Sequence, residues 1–107
     1  MSFVTLASLP VKEIFDGKVR GHYAHLPKLT VGEVSLEPGL TVPLHQHPHE
    51  QVTYVIDGRF QFTVGGETTV LGPGMAAIIP GGVPHGGTTL TTCRVIDVFS
   101  PARDDYR

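Results

Sequence analysis

Three of the six histidines fall within five residues, in the run His45-Gln46-His47-Pro48-His49. Imidazole at that density is the chemistry of metal ligation, because a neutral ring nitrogen is the commonest protein ligand for a transition metal. In an extended chain, side chains two apart point the same way, so His45 and His47 offer two imidazoles to one point. His49 shares that parity and is a candidate extra ligand or proton carrier, with the periphery of the site as its expected place. Glu50 has the opposite parity and is expected to face outward. His22 and His25 read as surface residues.

The elements that must position these groups are short strands. Thirteen Gly and nine Pro lie between runs rich in Val, Ile, Thr, Phe and Tyr. That pattern is typical of an all-β sandwich or barrel. Strands are expected over residues 11–15, 18–26, 29–36, 51–56, 59–64 and 67–71, and no helix of any length is expected. Asp16-Gly17, Glu37-Pro38-Gly39 and Gly65-Gly66 mark turns. Asp57-Gly58 is the two-residue signal for a tight hairpin. Residues 75–79 form a continuous apolar run, as expected of a buried strand. The rigid loop Pro80-Gly81-Gly82-Val83-Pro84 then delivers His85. Residues 90–99 read as the longest strand. Its alternation puts Cys93, Val95, Asp97 and Phe99 on one face, and Thr92, Arg94, Ile96 and Val98 on the other.

Length and composition bound the rest. At 107 residues the chain is expected to form one domain (1–107), with an N-terminal arm (1–10) and a polar C-terminal tail (101–107). Hydrophobic residues make up 40% and charged residues 17%, which suits a globular protein. A formal net charge of -2 with scattered Lys and Arg argues against a nucleic-acid partner. No apolar run approaches the ~20 residues of a membrane helix, and the first residues do not read as a signal peptide, so the expected location is cytoplasmic. Cys93 is the single cysteine and reads as a small core residue. Val52, Tyr54 and Ile56, like Ile96 and Val98, are apolar on the face opposite the ligand-bearing parity. Another sheet or a second subunit should cover them, so a homodimer is expected.

Two stretches resemble the motifs of the cupin superfamily. The first is Gly39, five residues, His45-Gln46-His47, three residues, Gln51, six residues and Gly58. The second is Gly74, five residues, Pro80-Gly81-Gly82, two residues, His85, three residues and Thr89. The resemblance implies a double-stranded β-helix, the small jelly-roll barrel, commonly dimeric and with a metal in its mouth. It implies His45, His47, Gln51 and His85 as ligands of one divalent transition metal such as Zn, Ni, Fe or Mn. There are two departures. Gln51 stands where the family has Glu, and Thr89 where it has Asn. The second is mild, since that position supports a turn. The first leaves an all-neutral ligand set, under which a bound ion keeps its full charge toward substrate. The alternative role for Gln51 is a polar residue in a wet barrel.

The segment Ile96-Asp97-Val98-Phe99-Ser100-Pro101-Ala102-Arg103-Asp104-Asp105-Tyr106 resembles the end of the KdgF-type cupins, which convert 4,5-unsaturated uronates into linear keto forms. That likeness implies catalytic roles for Asp97, Phe99 and Arg103. Asp97 reads either as a carboxylate that moves a proton on and off a substrate or as a structural acceptor. Arg103 reads either as a fork for a substrate carboxylate or as a solvated tail residue. Phe99 packs against a sugar ring or belongs to the core. The expected partner is a small, carboxylate-bearing molecule. An oxygenase with an unusual ligand set, and a non-catalytic sensor module, are the alternatives.

Overall fold

A computed structural model describes residues 2–107. Ten strands follow one another: β1 (Val11–Ile14), β2 (Val19–Leu26), β3 (Leu29–Leu36), β4 (Thr41–His45), β5 (Glu50–Asp57), β6 (Phe60–Val64), β7 (Glu67–Leu71), β8 (Ala76–Ile79), β9 (His85–Thr89) and β10 (Cys93–Ser100). They form two antiparallel sheets, with strand orders β1-β2-β3-β10-β5-β8 and β4-β9-β6-β7. The fold is all-β, a double-stranded β-helix, as expected. The only helical turns among the described residues are two short 3-10 segments, Leu6–Ser8 and Asp104–Tyr106. Among the described residues no helix is long and apolar enough to cross a membrane.

Alternation decides which side chains enter the barrel. On β10, Cys93, Val95 and Phe99 point inward and are buried, while Arg94 points out. Phe60 and Phe62 do the same from β6. Each such side chain contributes about 1.5–3 kcal/mol by leaving water. Cys93 is fully buried in this core.

Several expectations need correction. Asp57-Gly58 does not close a hairpin, because β5 and β6 belong to different sheets. The turn instead carries the chain from one wall to the other. Gly58 has a φ of 97°, and a Cβ there would sit 2.3 Å from the Thr92 carbonyl oxygen. Two strands, β4 and β9, were not anticipated. Pro43 and the pair Gly86-Gly87 depress strand propensity, yet each has a reason to be there. β4 is an edge strand, where a missing N–H is tolerated. A Cβ at Gly86 would lie 2.6 Å from the Val42 carbonyl oxygen, so the two backbones meet only because it is absent. Residues 75–79 are not a buried strand. β8 is an edge with alternating burial, and Ile78 is 74% exposed. β10 begins at Cys93 and, at eight residues, only equals β2, β3 and β5.

His22 and His25 are half-buried tethers rather than free surface residues. His22 Nδ1 bonds the Leu9 carbonyl oxygen at 2.8 Å and fastens the N-terminal arm; His25 Nδ1 lies 2.8 Å from Thr30 Oγ1. The C-terminal tail is only partly solvated, with Pro101, Asp104, Asp105 and Arg107 exposed. Ala102 is buried, the Arg103 amide donates to Thr30 Oγ1 at 2.8 Å, and the Tyr106 ring packs on Tyr23.

Candidate metal centre and its neighbouring carboxylate

His45 and His85 come together by strand register. They are directly paired residues at the ends of β4 and β9, beyond an irregularity that follows Val42. His47 comes from the loop between β4 and β5, and that loop leans on the second motif. The Gly82 amide donates to the His47 carbonyl oxygen at 2.8 Å. A Cβ on Gly81 would fall 2.5 Å from the Pro48 carbonyl oxygen. The glycines of one motif are therefore what let it press against the histidines of the other.

The three imidazoles each present a nitrogen within 4.8 Å of the others. In all three the Nδ1 atom is tied to a backbone carbonyl two residues away: His45 to Pro43 at 3.0 Å, His47 to His49 at 3.0 Å, and His85 to Val83 at 2.9 Å. A carbonyl only accepts, so each Nδ1 carries a proton and Nε2 is the nitrogen that can offer a lone pair. Burial holds His47 and His85 below the ordinary histidine range, which keeps them neutral. Among the described residues, His85 Nε2 is buried with no hydrogen-bond partner.

Gln51 adds an oxygen. Its Nε2 donates to Thr53 Oγ1 at 2.9 Å, and the Thr53 hydroxyl donates in turn to Asp97 Oδ1 at 2.6 Å. This relay fixes the amide so that Oε1 faces His47 Nε2 at 2.9 Å. With His47 neutral and its proton on Nδ1, two lone pairs confront each other there. A cation relieves both that opposition and the orphaned His85 nitrogen, so these residues fit a divalent metal. Three imidazoles and an amide oxygen suit a borderline first-row ion.

Asp97 sits on β10 opposite Thr53 on β5, on the inward face. Its Oδ1 is held by Thr53, with the Gln51 amide 3.5 Å away. Among the described residues Oδ2 has no hydrogen-bond partner. Burial pushes the carboxyl up to about 6, against the pull of the Thr53 and Gln51 hydrogen bonds and the Arg103 charge.

The Arg103 side chain is 12% exposed. Its guanidinium lies 4.8 Å from the Phe99 ring centre and 4.2 Å from that of Tyr106. Nε and Nη2 donate to Asp105 at 3.0 and 2.9 Å. Phe99 is buried beneath it, edge-on to His47 at 6.0 Å. One cavity of about 320 Å³ joins these groups, with His45, His85, Gln51, Asp97, Phe99 and Arg103 all in its wall.

The structure thus brings His45, His47, Gln51 and His85 together and sets Asp97, Phe99 and Arg103 beside them. His49 is outside the cluster, edge-on to His47 at 5.4 Å. Glu50 is exposed, as its parity implied. Thr53, Tyr23, Tyr106 and Asp105 were missed. Thr53 was detectable, since it shares the parity of Gln51. Asp105 and Tyr106 lie inside the segment that carries the KdgF-type resemblance, but that likeness gave them no role. Thr89, standing in place of Asn, ties the turn before β4: its hydroxyl donates to the Glu37 carbonyl oxygen at 2.6 Å and accepts from the Leu40 amide at 2.9 Å.

Residues 32–99 match the model of the Cupin domain family. The pectin degradation protein KdgF of Dickeya dadantii is 32% identical over 99 residues, which span 91% of this chain and 90% of that protein. The structure of KdgF from Halomonas sp. superposes with a TM-score of 0.89 at 34% identity, covering 97% of this chain and 98% of that one. An RmlC-like cupin from Shewanella frigidimarina superposes with a TM-score of 0.91 at 30% identity, covering 100% and 96%.

Proposed function

The chain belongs to the cupin family, and we propose that it is a metal-dependent isomerase that opens 4,5-unsaturated uronates, or similar small acidic sugars, to linear keto forms. The observation that carries this reading is Asp97. It is a half-buried carboxyl in the cavity wall, with one oxygen held by Thr53 and lying 3.5 Å from the amide that also faces the imidazoles. The likeness to KdgF supports the substrate class.

His45, His47, His85 and Gln51 would hold the ion, which when bound supplies Lewis-acid polarisation of a substrate oxygen. Asp97 takes the proton from the C1 hydroxyl. The C1–O5 bond breaks, C1 becomes a carbonyl, and the electron pair passes to the ring oxygen as an enolate. C4 then gains a proton through Asp97 and C5 becomes a ketone, so the formula is unchanged. A carboxyl held at about 6 is well matched to giving and taking a proton near neutrality. Arg103 receives the substrate carboxylate, with Asp105, 59% exposed, as the partner it can exchange. Phe99 supports the sugar ring. An oxygenase is less well supported, because the ligand set lacks the carboxylate that non-haem iron sites usually carry. The same reading includes a homodimer, formed through the apolar outer face of the larger sheet.

The test is to incubate metal-loaded protein with a 4,5-unsaturated uronate in heavy water. The expected product is the linear keto acid with one deuteron placed at C4. No isomerisation by fully loaded protein would contradict the assignment.

A further inference from the structure

Two glycines in the middle of neighbouring strands have no turn to explain them. Gly21 on β2 and Gly32 on β3 are both buried. A glycine inside a strand weakens it, and marks a place where something approaches closely. Here that something is the Tyr23 ring. A Cβ on Gly32 would lie 2.4 Å from Tyr23 Cδ1 and Cε1, and a Cβ on Gly21 would lie 2.4 Å from the Tyr23 hydroxyl oxygen. The ring therefore lies flat against the inner wall, in a cradle made by two missing side chains.

The register fixes where its hydroxyl ends. Thr53, Asp97, Gly32 and Tyr23 are paired residues on four adjacent strands, and so form one row across the sheet. The next row holds Val55, Val95, Val34 and Gly21. Gln51 and Phe99 lie in the row on the other side. The hydroxyl reaches the Gly21 row, on the side of Asp97 away from the imidazoles. Its surroundings there are Val19, Val34, Leu36 and Val95, which line the same cavity.

Tyr23 is 9% exposed, and among the described residues its hydroxyl has no hydrogen-bond partner. The hydroxyl opens onto the cavity, where the wall around it is apolar, so it is a donor available to an oxygen of a bound ligand. Burial and the nearby Asp97 charge raise its pKa and keep it protonated, as a hydrogen-bond donor requires.

We propose that Tyr23 is a second polar anchor for the substrate, binding an oxygen at the end remote from the imidazoles and setting the specificity for a hydroxylated ligand. This deepens the uronate reading and rests on it for the identity of the ligand. A site built to bond a hydroxyl discriminates strongly against an analogue lacking it.

Tyr23→Phe keeps the ring in its cradle and removes only the hydroxyl. The probes are galacturonate and hexanoate, measured by calorimetry on metal-loaded protein, beside turnover of an unsaturated uronate. The expected wild-type preference for galacturonate is tenfold or more. In Tyr23→Phe that preference collapses to near unity and KM for the uronate rises by a similar factor, with the melting temperature unchanged. Unaltered galacturonate affinity in the variant would overturn the proposal. So would a wild type indifferent to the two probes, or a loss of binding that tracks a fall in melting temperature. If the wild type binds galacturonate through Tyr23 but does not isomerise the unsaturated uronate, the uronate assignment fails and the anchor stands.

Discussion

Replacing the Gln51 amide with a carboxylate, Gln51→Glu, changes one group and two properties of the site. It supplies the metal with an anionic ligand, so we expect slower loss of metal to a chelator. It also puts a negative charge where the amide approaches Asp97 at 3.5 Å. That raises the Asp97 pKa further and lowers the charge that the ion presents to substrate. Turnover is expected to fall at least tenfold, measured beside chelator competition. Asp97 itself is costly to fold. Its carboxyl ionises at 3.8 in the unfolded chain and at about 6 in the folded one. As pH rises through that window the unfolded state loses its proton first, and stability falls until the penalty is complete above about 6. Asp97→Asn removes the penalty. The metal-free variant should be more stable than metal-free wild type by about 1–3 kcal/mol at neutral pH, and by less near pH 5. Thermal melts at the two pH values check the sign. His45 and His47 were legible in the sequence because two ligands two residues apart need only strand parity. The relay from Gln51 through Thr53 to Asp97 was not, because its last step joins residues 44 apart that only a strand pairing brings together.

The crossover at Gly58 shows why element-level reading failed where it did. Asp-Gly between two alternating runs is ordinarily a hairpin, and local sequence cannot tell a turn that pairs its strands from one that separates them. Here the turn packs against the Thr92 carbonyl, 34 residues on, which local sequence does not reveal. Gly58→Ala faces both a φ of 97° and that carbonyl, so we expect a loss of about 2 kcal/mol or more. Gly39→Ala has a φ of 72° but open space around it, so it should lose only about 1 kcal/mol. Chemical denaturation of both variants separates the two causes. The tail failed to read for a related reason. Its polarity is real, but Ala102 is buried, and Arg103 and Tyr106 are half-buried against Thr30 and Tyr23, which are remote in sequence. β4 and β9 were hidden because the glycines that let them approach also erase their strand signal.

At the scale of the whole molecule, the inner face of the larger sheet builds the site while its outer face is left apolar. Val52, Tyr54 and Ile78 are exposed there, with Ile96 and Val98 half-buried beside them. Alternation made the first two and the last two visible in the sequence, but Ile78 was read as core because an unbroken apolar run has no parity. If a second copy covers this face, Ile78→Lys should shift the protein from dimer to monomer in equilibrium sedimentation at micromolar concentration, with metal content unchanged. A wild type that sediments only as monomer would leave the face without that role. The account as a whole depends on one division of labour, in which the imidazoles and Gln51 hold the metal and Asp97 moves the proton. It is tested most directly by Asp97→Asn, with metal content and the loss of unsaturated-uronate absorbance measured on the same preparation. The account predicts one metal per chain, as in wild type, and a rate reduced by two orders of magnitude or more. Full metal content with an unchanged rate would contradict it.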